Sequence, residues 1–183
     1  MLKYRLMSGF TLVGIVMTAL FVEGYAGVAA FLILAVVMMG GALNEFFTMT
    51  EKIGHQGFKK MTISVGLILL ASVALPNMFK GTYSLDLPFA ELITIIFITF
   101  GFLRVFNEET HSKGLSRLFV SIAGLIYVAW TLLFISKIYF LNGIEMSGRY
   151  FVLYLIAVTK SSDIGAYTTG NLCHRLMPWD NHK

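Results

Sequence analysis

The chain has 183 residues, of which 57% are hydrophobic and only 13% charged, with a formal net charge of +4. Soluble domains carry about 25% charged residues, so a soluble fold, which would have to bury nearly every face of every helix, gives way to a polytopic membrane protein. A single cysteine, Cys173, rules out an internal disulfide, and the absence of basic-aromatic runs or zinc-ligand spacing speaks against a nucleic-acid module.

Lys3 and Arg5 ahead of an apolar run imitate a signal peptide, but no small-x-small cleavage site follows, and the stretch reads as an uncleaved first helix. Uncharged runs then give the spans: 6–22 with 17 residues, 24–44 with 21, and 61–79 with 19, the last carrying Pro76 near its end as a kink or stop. A fourth is expected over about 87–103, with Asp86 and Pro88 as start signals and Glu91 in its first turn. The fifth, 118–136, again has 19 residues. The sixth begins near Met146, is interrupted by Arg149, and meets Lys160 after ten uncharged residues. At 1.5 Å per residue the stretch 146–159 covers roughly 21 Å, short of a hydrocarbon core of ~30 Å. The sixth helix is therefore expected to run on through Lys160 and Asp163, with those side chains in a cavity or at the inner interface. The longest loop, 45–60, mixes Phe46, Phe47 and Phe58 with three lysines and is expected to lie in the cytoplasmic interface as a short amphipathic piece.

With the N-terminus in the cytoplasm, 11 lysines and arginines fall on inside segments and three (Lys80, Lys137, Arg149) outside. The expected fold is thus all-α: about six transmembrane helices in a single domain over 1–183, integral to the cytoplasmic membrane, with both termini and any site near Asp163 facing the cytoplasm.

The chemistry-bearing stretch is 159–178, TKSSDIGAYTTGNLCHRLMP. On a 3.6-residue period Lys160, Asp163, Tyr167 and Gly170 form one stripe, and Ala166 with Gly170 makes a small-xxx-small pair that admits a second helix or a ligand close to the backbone. A carboxylate near membrane depth is costly and usually has a partner and a task. Its plain structural role would be an i, i+3 pair with Lys160. Ser161, Ser162, Tyr167, Thr168 and Thr169 add hydroxyls, and Gly165 and Gly170 leave the backbone open: parts suited to a hydrated divalent cation and phosphate oxygens. Magnesium takes hard oxygen ligands and often only one or two protein carboxylates beside phosphates. Lys160 is either a point charge against phosphate or a snorkelling interface lysine. Glu45 is either a polar helix end or a second acidic group near the site. His55, His111, His174 and His182 show no i, i+4 pair, Glu108 and Glu109 read as a solvated loop, and Cys173 reads as a small packing residue.

The run Ser162-Asp163-Ile164-Gly165-Ala166-Tyr167-x-x-Gly170 resembles the integral-membrane phosphatidate cytidylyltransferases (CDP-diacylglycerol synthases), which carry Ser/Ala-Asp-x-Gly-Ala-Tyr-x-x-Gly on a late helix. Weaker echoes are Asn44-Glu45-Phe46-Phe47 after the second span and Ala123-Gly124-Leu125-Ile126-Tyr127-Val128 in the fifth. The resemblance departs after Gly170, where the second glycine of the family's pattern is missing and Pro178 arrives about two residues early. The family's Ser-Pro-x-Lys-Thr-x-Glu-Gly segment, with its second acidic position, is not reached by Lys183. The expectation is an N-terminal portion of such an enzyme, with little or no turnover alone.

What the resemblance implies is nucleotidyl transfer: the phosphate of phosphatidic acid attacks the α-phosphorus of CTP, giving CDP-diacylglycerol and pyrophosphate. It implies Asp163 as a catalytic, metal-binding carboxylate and Lys160 as its catalytic partner. Ser161, Ser162, Tyr167 and Gly170 would bind substrate, and Mg2+ would be the cofactor, with a second cation as an open addition. The partners are CTP, phosphatidic acid, the bilayer and, as a candidate homodimer, a second copy of the chain; nucleic acid is not among them. A reading from another class is a small transporter or channel subunit using Lys160 and Asp163 as an ion site. Against it stand the absence of paired half-helices and of a second intramembrane charge on another span. A third reading is a structural membrane partner with no site.

Overall fold

The apolar runs become helices because a backbone crossing hydrocarbon must satisfy its own N–H and C=O groups. The computed structural model describes residues 14–22, 24–78, 89–106, 111–141 and 147–176, and every regular element among them is helical. In chain order these are α1 (14–21), α2 (Tyr25–Lys52), α3 (Lys59–Met78), α4 (Phe89–Phe106) and α5 (His111–Gly124). A π-helical turn (Leu125–Trp130) joins α5 to α6 (Thr131–Tyr139), and α7 (Gly148–Leu176) follows.

Four helices are long and apolar enough to cross a bilayer: Tyr25–Lys52, Lys59–Met78, Phe89–Phe106 and the continuous rod Lys113–Tyr139. They match the second to fifth expected spans. The first expected span lies partly outside the described residues, as do Asp86 and Pro88. The sixth forms as the 29-residue α7, which runs through Lys160 and Asp163 as expected but falls outside this apolar group.

One local reading is corrected. The expected interfacial loop at 45–60 is mostly helix: α2 continues to Lys52 because Met39, Leu43 and Phe47, all fully buried, keep one stripe of it on the core. It stops in a Schellman motif. Gly54, at φ 90°, donates to Glu51 O at 3.0 Å and His55 N–H to Thr50 O at 2.9 Å, so orphan carbonyls are satisfied within a tight turn. Pro76 lies inside α3, two residues before its described end at Met78.

The π turn has a packing cause. The buried stripe of the α5–α6 rod runs Ser121, Leu125, Ala129, Leu133, three steps of four residues. On a 3.6-residue helix three such steps drift by about 120° around the axis. The wider i→i+5 turn absorbs that drift and keeps all four residues inward, while Trp130 Nε1–H donates to Thr94 Oγ1 on α4 at 3.1 Å.

The main core gathers Met39, Leu43, Phe47, Leu69, Leu70, Phe97, Leu125, Ala129 and Leu133 from α2 to α6. A second cluster joins Ala19 and Leu20 of α1, Phe31, Tyr139 and Val152 of α7, with the Phe31 and Tyr139 rings stacked at 3.7 Å. Lipid tails are as apolar as leucine, so close packing rather than hydrophobic expulsion holds such helices together. Glycines supply the notches: a Cβ on Gly66 would sit 2.9 Å from Leu43 Cδ1, and one on Gly124 would sit 2.9 Å from Phe46 Cε1. Ile33, Val37, Ile96 and Phe100 stay exposed on the outside, a surface suited to acyl chains.

The bundle has two polar ends. At one, Phe58 N–H donates to Ser121 Oγ at 2.7 Å, Arg117 to Gln56 Oε1 at 2.8 Å and Lys59 to Thr48 Oγ1 at 3.4 Å, with Arg104 over the Phe58 ring at 5.2 Å. At the other, Tyr139 OH donates to Ala19 O at 3.0 Å and Arg149 to Val22 O at 3.1 Å. Lys137 pairs with Glu91 at 3.6 Å toward that same end.

Gly66→Leu is expected to destabilise the bundle by about 1–3 kcal/mol through overpacking against Leu43 and Met39. Gly41→Ala, whose added Cβ meets nothing within 4 Å, should be neutral or slightly stabilising. Unfolding titrations in mixed micelles measure both.

Candidate active site

α7 is anchored at its start and open beyond. Arg149 lies over the Tyr139 ring at 5.6 Å, and Val152 is buried in the second core cluster. From Tyr154 to Cys173 every residue is exposed. The helix packs on α6 through its first turns and then carries its polar stretch clear of the other described helices.

Lys160 Nζ lies 3.9 Å from Asp163 Oδ2, with the two side chains 72% and 67% exposed. The pair is loose, so the carboxylate keeps most of its acceptor capacity. Counted at 1.5 Å per residue, Lys160 and Asp163 stand roughly 16 and 21 Å along α7 from Arg149, against roughly 30 Å between Lys137 and Arg117 on the neighbouring rod.

The helix sorts the hydroxyls in a way the sequence reading did not. Each residue turns by about 100°, so Lys160, Asp163, Tyr167 and Gly170 share an arc of about 80°, while Ser161 and Ser162 point about 100° and 200° away from Lys160. The hydroxyl on Asp163's own face, one turn before it, is Thr159, which donates to Leu155 O at 2.8 Å and keeps its lone pairs outward. Thr168 and Thr169 spend their protons on Ile164 O and Gly165 O. A Cβ added at Gly165 or Gly170 would meet nothing within 4 Å, so the backbone there is open to an approaching group.

Other candidates fall apart. Glu45 is exposed on α2, and no described group of three His, Cys, Asp or Glu side chains is placed to hold a metal. His55 is exposed at the Schellman turn; His182, Glu108, Glu109 and the side chains of His111 and His174 lie outside the described residues. Cys173 is exposed on α7, which corrects its reading as a packing residue among the described residues: none of the other described helices packs against that turn.

A feature with no signature in the sequence lies beside the pair. Five helices, α1, α2, α3, α6 and α7, border an open pocket of about 340 Å³, lined mostly by hydrocarbon side chains, with Ser136 and Lys160 as its polar residues.

Residues 3–179 match the family model described as the cytidylyltransferase family, a span that takes in all seven helices and the Asp163 stretch. The chain belongs to the cytidylyltransferase family. No curated protein and no solved structure gives a significant match. Membership makes this a fold for nucleotidyl transfer from CTP.

For a cytidylyltransferase the donor set suits magnesium. Asp163 offers one hard, loosely paired carboxylate, Thr159 a hydroxyl oxygen on the same face, and phosphate oxygens are the ligands that this ion most readily adds. Asp163 and Thr159 are the residues that would hold it.

Because the Lys160–Asp163 pair is exposed, it contributes under about 1 kcal/mol to stability. Asp163→Asn and Lys160→Ala should therefore leave helical content and thermal midpoint at wild-type values, as read by circular dichroism in detergent. A large loss of stability in either would make the pair a structural tie.

Proposed function

We propose that the chain carries the lipid-phosphate and CTP-phosphate site of a phosphatidate cytidylyltransferase, with Asp163 and Lys160 as its charged groups. The observation that carries this is the pair itself: an ammonium and a carboxylate on one helical stripe, beside a largely apolar pocket. Two anionic reactants must approach each other, so the demand on the site is cationic charge and alignment. A phosphate oxygen of phosphatidic acid forms a bond to the α-phosphorus of CTP, the α–β phosphoanhydride bond breaks, and pyrophosphate leaves with its electron pair.

Lys160 offsets the charge of the attacking phosphate as a mobile point cation. Asp163 is the carboxylate that would hold a cation at the site. A magnesium ion, when bound, would neutralise triphosphate oxygens and steady the leaving group. Tyr167 and the open backbone at Gly170 lie one and two turns further along the stripe, where they can contact the nucleotide. Ser161 and Ser162 flank the stripe and would reach a substrate only around the helix. The cytoplasm is the side from which CTP comes. The 11-to-three bias of lysine and arginine toward that side, with Lys59, Arg104 and Arg117 clustered at the matching end of the bundle, supports a cytoplasmic site.

The alternative, an ion or proton site in a transporter, has less support: Lys160 and Asp163 are exposed on one helix and, among the described residues, no facing half-helix presents a second charge to them.

Equilibrium binding of CTP to the purified chain tests the proposal. Binding is expected to require Mg2+, to be lost in chelator, and to weaken at least tenfold in Asp163→Asn. CTP affinity that ignores both the metal and the substitution would overturn the assignment. Ion flux through liposomes that depends on Asp163, without CTP binding, would establish the transporter instead.

A further inference from the structure

A second open pocket, also of about 340 Å³, lies at the end of the bundle that holds Lys59 and Arg104. It is lined by Gly54 and Gln56, in the turn between α2 and α3, and by Lys113, Ser116 and Arg117 of α5. Among the described residues its lining has two cations and no carboxylate. We propose that this pocket seats the phosphate headgroup of an anionic phospholipid of the surrounding leaflet, at a site that shares no residue with the stripe on α7.

Three observations lead there. The first is charge. Lys113 and Arg117 stand four apart on one face of α5, where like charges repel, and an anion between them turns that repulsion into attraction. Around them Lys52, Lys59, Lys60 and Arg104 outnumber the carboxylates of the same end, Glu45 and Glu51. The second is preorganisation. Arg117 donates to Gln56 Oε1 at 2.8 Å, which ties the guanidinium on α5 to the turn after α2 and leaves the NH2 end of the Gln56 amide as a further donor. Donors held in place before binding cost less to order. The third is location. Two apolar spans end here, at Lys52 and Phe106, and two begin, at Lys59 and Lys113. The contacts of Phe58 with Ser121 and Arg104 hold those ends together. All four helices therefore pass from apolar to polar at one level, which is where a bilayer presents its phosphates. Ile53, beside Gly54, is exposed, as are Leu115 and Phe119, four apart on α5. Apolar surface for the glycerol and first methylenes thus adjoins the cations, and a soluble anion would leave it uncovered.

Native mass spectrometry of the purified chain, released from non-ionic detergent, tests this with phosphatidylglycerol and phosphatidylcholine of matched acyl chains. Phosphatidylglycerol is a phosphodiester and cannot serve as the acceptor in the transfer proposed above, so its binding reads this pocket independently of that assignment. The first phosphatidylglycerol is expected to bind roughly tenfold more tightly than phosphatidylcholine. Lys113→Gln should weaken it about fivefold, the step expected for one lysine at a lipid surface. Gln56→Ala, which releases the guanidinium, should also weaken it. Both side chains are exposed, so neither change disturbs the core. Lys60→Gln removes an exposed lysine of the same end that does not line the pocket, and should leave the affinity at the wild-type value. Inorganic phosphate and CTP at millimolar concentration should not displace the lipid. Equal affinity for the two lipids, or the same loss from Lys60→Gln as from Lys113→Gln, would overturn the proposal. Displacement by phosphate or CTP would also overturn it and make the pocket a site for a soluble phosphate.

Discussion

A helix that carries an ammonium and a carboxylate toward the middle of a bilayer must deliver them to something more polar than hydrocarbon. That constraint governs α7 and, through it, the bundle. Ten uncharged residues are too few to cross, so the helix cannot end before Lys160, and its backbone must stay hydrogen-bonded past Asp163. The structure meets this with 29 continuous helical residues, fastened by Arg149 and Val152 at one end and exposed from Tyr154 to Cys173 beyond. The charges are borne on an element held by its apolar start, leaving the polar stripe open to ligands.

The remaining helices provide a support stiff enough to give that start a fixed place. Their cohesion comes from notches where a glycine admits a neighbouring side chain, from Phe47 and Leu43 extending the buried stripe of α2 beyond the apolar run, and from a π turn that keeps the α5–α6 rod in register with the core. Polar side chains concentrate at the two ends. Ser121 and Gln56 fasten one end, and Tyr139 and Arg149 the other. Between them, Ser136 is buried but returns its proton to Leu132 O at 3.1 Å, so the interior carries no unpaired polar side-chain atom among the described residues.

Much of this was legible in the sequence, for a physical reason: uncharged runs of 19 to 21 residues and the charges that bound them report directly on what hydrocarbon tolerates. The helical nature of the chain, the four apolar crossings and the continuation of α7 through Asp163 all follow from that rule. What it could not supply depends on contacts between distant segments. The helical course of 45–52 rests on Phe47 meeting α3 and the α5–α6 rod, although Glu45, Glu51 and Lys52 locally suggest a loop. The π turn arises from a buried stripe whose spacing becomes meaningful only when the facing helices are known. At the site, the stripe of Lys160, Asp163, Tyr167 and Gly170 was readable from periodicity, and the same periodicity adds Thr159 to the face of Asp163, a neighbour that the sequence reading left out. The cavity had no local signature at all, since its lining comes from five separate helices.

Lys160 is where these strands of the argument meet. Six residues, about 1.7 turns of helix, separate it from Tyr154, the start of the exposed stretch, with a mostly hydrocarbon lining on one side; Asp163 follows three residues on. A side chain of four methylenes ending in a compact cation suits that boundary, because the stem can lie along the apolar lining while the ammonium swings between a carboxylate 3.9 Å away and an arriving phosphate. Arginine would present a rigid fork suited to one fixed bidentate partner, whereas a transfer between two phosphates needs a charge that can follow the reaction. The loose, exposed pairing of Lys160 with Asp163 therefore suits a site in which neither charge is committed to the other before substrate arrives.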